Sequence, residues 1–133
     1  MSTLTLHLQS AACVEHVEGV GSFVGIDASG SFGILPGRAR FLTVLEYGLA
    51  RYAKIDGPRQ YLACPGGVLY LADDELLVNT RRYLRDDDFG RISALLAGQL
   101  AQEEAQLRAL KDNLLRLEYE LLRRLRKLER WDA

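Results

Sequence analysis

From Thr3 to Arg85 the apolar residues recur every second position and turn formers interrupt them often, which is the signature of β-strands. "TLTLHLQ" places Leu4, Leu6 and Leu8 on one face, and "ACVEHVE" and "VGSFVGID" follow as separate short strands ended by Glu18-Gly19 and Ala28-Ser29-Gly30. The runs "FLTVLE", "GLARYAKI", "RQYLAC", "GVLYLA" and "ELLVNT" complete the series, divided by Tyr47-Gly48, Asp56-Gly57-Pro58, Pro65-Gly66-Gly67 and Asp73-Asp74. "GVLYLA" is apolar on both faces, as befits a strand inside a sandwich. Short strands with no helix between them predict an antiparallel β-sandwich over residues 1–85. Within it, Gly30 to Gly48 is glycine-rich, and Gly33, Pro36 and Gly37 predict a sharp reversal of the chain.

After Asp86-Asp87-Asp88 the period changes. Leu96, Leu100, Leu107, Leu110, Leu114, Leu117, Leu121 and Leu128 recur at spacings of three, four and seven with no proline from Phe89 onward, which predicts helix over the remainder of 86–133. Aspartates at its start and Arg123, Arg124, Arg126, Lys127 and Arg130 at its end complement the helix dipole. The leucine phase continues across Lys111-Asp112-Asn113, favouring one long helix, with a helical hairpin as the alternative. Leu115, Leu122 and Leu125 widen the apolar face beyond what one neighbour covers. The fold class is therefore mainly β with α, a sandwich followed by a helical region.

Composition narrows the function by exclusion. In 133 residues, 48% are hydrophobic and 26% charged, and the net charge of −1 offers no general attraction for nucleic acid. No apolar run reaches membrane-spanning length and "MSTLTLHLQS" lacks the features of a secretion signal, so a cytosolic protein is expected. Cys13 and Cys64 match no redox or metal spacing and are expected as reduced core thiols. His7 and His16 lie on separate strands without ligand-spaced partners, so no metal is expected. There is no phosphate loop, nucleophile elbow or other catalytic constellation, and the carboxylate runs 73–75 and 86–88 read as turn and helix-start charges. Basic residues near the C-terminal end are interleaved with Glu118, Glu120 and Glu129, which blunts any phosphate-binding stripe.

"GSFGILPGRARFLTVLEYG" resembles the G-x-x-G-I-x-P-G-H-A-x-x-x-T-x-L-x-x-G signature of the epsilon subunits of rotary ATP synthases. "LTLHLQSAACVEHVEGVGSFVGIDASG" is similar to that family's opening strands, and "RQYLACPGGVLYLADDELLVNT" to its Y-x-x-x-x-G-G-x-L-x-x-x-x-x-x-V-x-V segment. The resemblance is close over the first 85 residues and architectural beyond them. Arg38 stands where the family usually has His, and the helical region lacks the Gly, Ser or Pro interruption that usually separates two helices.

The resemblance implies a noncatalytic central-stalk subunit whose sandwich docks on the gamma subunit and on the membrane rotor ring. It places Ala28, Ser29, Gly30 and Ser31 against the ring, and Ser10 and Arg38 against gamma. It also implies a helix that opposes ATP hydrolysis by meeting catalytic subunits, with Arg123, Arg124, Arg126 and Lys127 facing an acidic surface. The family's ATP-binding motif survives here only as Asp88 and Arg91, so ATP is not expected as a ligand. The expected location is the cytoplasmic face of the cell membrane, reached only through the complex. The alternatives are a self-associating sandwich and coiled-coil adaptor, weakened by Glu103 and Arg124 at heptad core positions, and a nucleic-acid binder using the basic helix.

Overall fold

The computed structural model of the chain describes residues 2–132, with side chains described through residue 129. Nine strands come first: β1 (Leu4–Gln9), β2 (Val14–Asp27), β3 (Gly30–Ile34), β4 (Phe41–Leu45), β5 (Gly48–Lys54), β6 (Arg59–Cys64), β7 (Gly67–Ala72), β8 (Glu75–Thr80) and β9 (Leu84–Asp86). Helix α1 (Phe89–Leu95), a π-helical segment (Leu96–Leu100) and helix α2 (Ala101–Asp132) follow.

One long strand organises the sandwich. The first half of β2 pairs antiparallel with β1, and its second half pairs with β3 and β5. One layer therefore runs β2-β1-β8-β7-β4 and the other β3-β2-β5-β6-β9, with a single Asp27–Leu45 bridge joining β2 to β4. The two strands expected from "ACVEHVE" and "VGSFVGID" are this one element. Gly19 adopts a φ of +73°, and the register slips on both partners near it, so the backbone bulges and bends where a turn was expected.

Alternation sets the core. Leu4, Leu6 and Leu8 are fully buried from β1, and meet Val20 and Phe23 of β2, Ile34 of β3, Leu62 of β6, Leu69 and Leu71 of β7, and Leu76 and Val78 of β8. Thr80 is buried, and it donates its hydroxyl to the Gly66 carbonyl at 2.6 Å. Cys64 is a core thiol as expected, its pKa pushed up by burial, whereas Cys13 is exposed in the β1–β2 turn.

The outer face of β6 is also covered. Ala63, Ile92 and Leu100 are fully buried together, flanked by Leu49, Tyr61, Leu84, Leu95 and Leu96, so α1 and the π-helical segment pack on this layer. Tyr47 donates its hydroxyl to the Leu96 carbonyl at 2.5 Å, and the Tyr61 and Phe89 rings meet edge-on with centroids 5.4 Å apart. The chain divides into two compact units, Met1–Leu100 and Ala101–Ala133. Helical residues continue from Phe89 to Asp132, with none of the break or hairpin considered at Lys111-Asp112-Asn113. At 1.5 Å per residue, the 32 residues of α2 measure about 48 Å.

Candidate interaction surfaces

Strands β4 and β7 place Leu42 opposite Tyr70 and Val44 opposite Val68 on the outward side of their layer. All four are exposed, to 66%, 39%, 65% and 47%. On β8, Leu77 extends the same face as the partner of Tyr70. The expectation that "GVLYLA" is enclosed on both sides is thus corrected: Leu69 and Leu71 fill the core, and Val68 and Tyr70 point away from it. An antiparallel sheet face that meets water is ordinarily polar, and a contiguous apolar patch marks an interaction surface. Fully burying one such side chain is worth about 1.5–3 kcal/mol, so a partner covering four of them gains a substantial anchor.

The residues assigned to ring contact sit at the tip of the β2–β3 hairpin. Ala28 and Ser29 form its two-residue turn, and Gly30 and Ser31 begin β3 rather than extending the loop. All four are exposed, and Gly30 takes a φ of +118°. Asp27 makes this tip rigid. Its Oδ1 accepts the Ser29 hydroxyl at 2.5 Å and the Ser29 amide at 2.9 Å, and its Oδ2 accepts the Thr43 hydroxyl at 2.7 Å. These bonds, the Ser29 hydroxyl foremost, hold the Asp27 carboxyl below the usual carboxylate range.

Arg38 lies in the connection between β3 and β4. Its guanidinium donates to the Gly33 carbonyl at 2.5 Å and stacks 4.4 Å from the centre of the Phe41 ring. Pro36 and Gly37 form the expected turn, and the Gly37 amide donates to Asp74 Oδ1 at 2.7 Å, tying it to the β7–β8 turn. Gly33, expected in the reversal, is instead a strand residue paired with Val24, because the chain stays extended through Ile34 to complete β3. Ser10 is in a different loop, the β1–β2 turn, where its Oγ accepts the amides of Ala12 at 3.3 Å and Cys13 at 3.2 Å.

At the start of α1, Asp88 caps the helix by accepting the Arg91 amide at 3.0 Å. The Arg91 guanidinium grips Asp86 with two bonds, of 2.6 and 2.7 Å, and reaches Asp87 at 3.4 Å. This ion pair holds the Asp86 carboxyl far below its ordinary value and raises Arg91. Both residues left from the ATP motif thus have structural work within the chain.

Along α2, Leu110, Leu114, Leu115, Leu117, Leu121, Leu122, Leu125 and Leu128 are each more than half exposed. Arg123, Arg124, Arg126 and Lys127 are exposed as well, and Arg123 pairs with Glu120 at 3.1 Å. The side chain of Arg130, last of the expected basic run, lies outside the described residues.

Two features escaped the sequence reading. The outward face needed the β4–β7 register, which alternation inside a single strand does not reveal. His7 and His16 are cross-strand partners on β1 and β2, with their Nδ1 atoms 2.5 Å apart.

Residues 3–86 match the family described as ATP synthase, Delta/Epsilon chain, beta-sandwich domain. The chain is 35% identical to an ATP synthase epsilon chain 2 of Cereibacter sphaeroides, over 92% of this chain and 86% of that one. A second ATP synthase epsilon chain 2, from Paraburkholderia xenovorans, is 32% identical over 79% of this chain and 69% of its own length. The fold is similar to a chain in the central stalk and c-ring structure of the Tetrahymena thermophila mitochondrial ATP synthase, with a TM-score of 0.53, 15% identity and coverage of 63% and 69% of the two chains.

Proposed function

The chain belongs to the ATP synthase delta/epsilon family, and from that premise we propose that it works as a noncatalytic link in the central stalk, joining gamma to the membrane rotor ring. The observation that carries this reading is the outward apolar face of Leu42, Val44, Val68 and Tyr70, which leaves the sandwich with an uncovered surface suited to a protein partner. Gamma is the proposed occupant of that face, with Arg38 as the proposed polar contact to it. The Ala28–Ser31 hairpin tip is the proposed ring contact. A coupling element has to transmit torque without slack, and Asp27, which takes two bonds from Ser29 of the tip and one from Thr43 of β4, supports the stiffness that task requires.

In the same reading the subunit reaches the cytoplasmic side of the membrane only through the ring, and no described helix is long and apolar enough to cross a membrane. Helix α2 is the proposed regulatory element. Its leucines from Leu110 to Leu128 are exposed, and burying them along gamma and the catalytic subunits would stabilise an extended arrangement that opposes hydrolysis. Arg123, Arg124, Arg126 and Lys127 would meet acidic groups there.

Co-expression with gamma tests the docking assignment. The wild-type chain is expected to copurify with gamma, and Leu42→Ser/Val44→Ser to separate from it while keeping its melting temperature. Self-association without gamma capture would favour the adaptor reading instead.

A further inference from the structure

The β1–β2 register sets His7 directly opposite His16. Their rings stand nearly perpendicular, with an interplanar angle of 81° and centroids 4.7 Å apart, and the two Nδ1 atoms face each other at 2.5 Å. Two imidazole nitrogens approach this closely only when something electropositive lies between them. In the neutral pair that is a single proton, carried by one ring and accepted by the other.

Glu75 decides which ring carries it. Its Oε2 lies 3.3 Å from His7 Nε2, a buried nitrogen with no hydrogen-bond partner. A carboxylate on that side favours the Nε2–H tautomer of His7, so His7 Nδ1 presents a lone pair toward His16. A carboxylate behind an imidazole whose other nitrogen offers a lone pair is the arrangement that orients metal-ligating histidines. We propose that His7 and His16 form a two-imidazole site for a borderline divalent transition metal such as Zn²⁺, with Glu75 as the positioning residue behind His7.

The stereochemistry accommodates the ion. Zn–N bonds of about 2.0–2.1 Å at a tetrahedral angle place two ligating nitrogens roughly 3.3 Å apart, so the pair has to open by less than about 1 Å. Because His16 is exposed, that opening needs only rotation of its side chain. As the ion enters, neutral His16 moves its proton from Nδ1 to Nε2, both Nδ1 lone pairs bind the metal, and no net proton is lost. Among the described residues no group of three or more His, Cys, Asp and Glu could hold a metal, so the protein supplies two ligands and water the others. Imidazole donors select Zn²⁺, Cu²⁺ or Ni²⁺ over Mg²⁺ and Ca²⁺. The expectation that these histidines do not bind metal rested on their spacing in sequence, and strand pairing is what brings them together.

Calorimetric titration of the untagged full chain with ZnCl₂ tests the site. The wild type is expected to bind one equivalent. His16→Gln should weaken binding at least tenfold and Glu75→Gln about tenfold, while Cys13→Ser, which removes the exposed thiol, should leave it unchanged. In imidazole nitrogen NMR spectra, Zn²⁺ should shift Nδ1 of both histidines. No binding by the wild type, equal binding by His16→Gln, or loss of binding in Cys13→Ser would each overturn the proposal. His16 is exposed, so His16→Gln should melt with the wild type, and Zn²⁺ should raise the melting temperature of the wild type but not of His16→Gln.

Discussion

At Gly67 there is no room for a methyl group. A Cβ there would lie 2.4 Å from the Asn79 carbonyl oxygen and 3.1 Å from Thr80 Cα, both backbone atoms of the paired strand β8. Gly67→Ala should therefore lower stability by about 1–3 kcal/mol in urea unfolding. Gly33 offers the contrast: it sits in a strand with open space around it, so Gly33→Ala should fold at least as stably as the wild type. The buried Thr80 hydroxyl supports the neighbouring Gly66 turn, and Thr80→Val, by leaving the Gly66 carbonyl without that donor, should cost about 1–3 kcal/mol in the same assay. Two carboxyls govern acid sensitivity. Asp27 and Asp86 titrate below the ordinary carboxylate range in the folded chain, so the unfolded chain binds more protons as pH falls through about 4. Their stabilisation is complete above that range and is lost as pH drops toward their folded values. Thermal melts from pH 6 to pH 2 should show this decline, and Asp27→Asn should make it shallower.

At the scale of elements, strand alternation located β1 and β4 to β8, because each is bounded by residues with a physical reason to turn. It failed at Gly19, where a positive φ produces a bulge that keeps β2 intact, and at β3, where Gly30 and Gly33 look like turn residues but both are paired strand residues, Gly30 with a positive φ next to the Ala28-Ser29 turn. Strand β9 is three residues long, too short to show a period, and is fixed by pairing with Tyr61–Ala63. The leucine repeat located the helix, yet it could not show that Ile92 and Leu100 belong to the packing on β6 while Leu110 to Leu128 stay exposed. That difference is measurable. In hydrogen exchange on the isolated chain, Ile92 should be protected with the sheet, whereas amides from Leu114 to Leu125 should exchange faster, since the leucines along that stretch are exposed.

At the scale of the whole molecule, the candidate surfaces were only partly legible. Family resemblance pointed to the hairpin tip and Arg38, and their settings come from side-chain contacts that a strand pattern does not show: Asp27 and Phe41 are close by in sequence, and Asp74 is 37 residues from the Gly37 it holds. The apolar face was invisible because it is assembled from different strands. Deleting Asp112 to Ala133 should raise ATP hydrolysis by the assembled enzyme without impairing assembly, as read by steady-state turnover of the purified complex. The docking of the sandwich through its outward face is tested most directly by purifying the ATP synthase from cells carrying Leu42→Ser/Val44→Ser and measuring how much of this chain stays with gamma. Strong depletion of a variant that melts like the wild type is the predicted result, and wild-type occupancy would contradict the account.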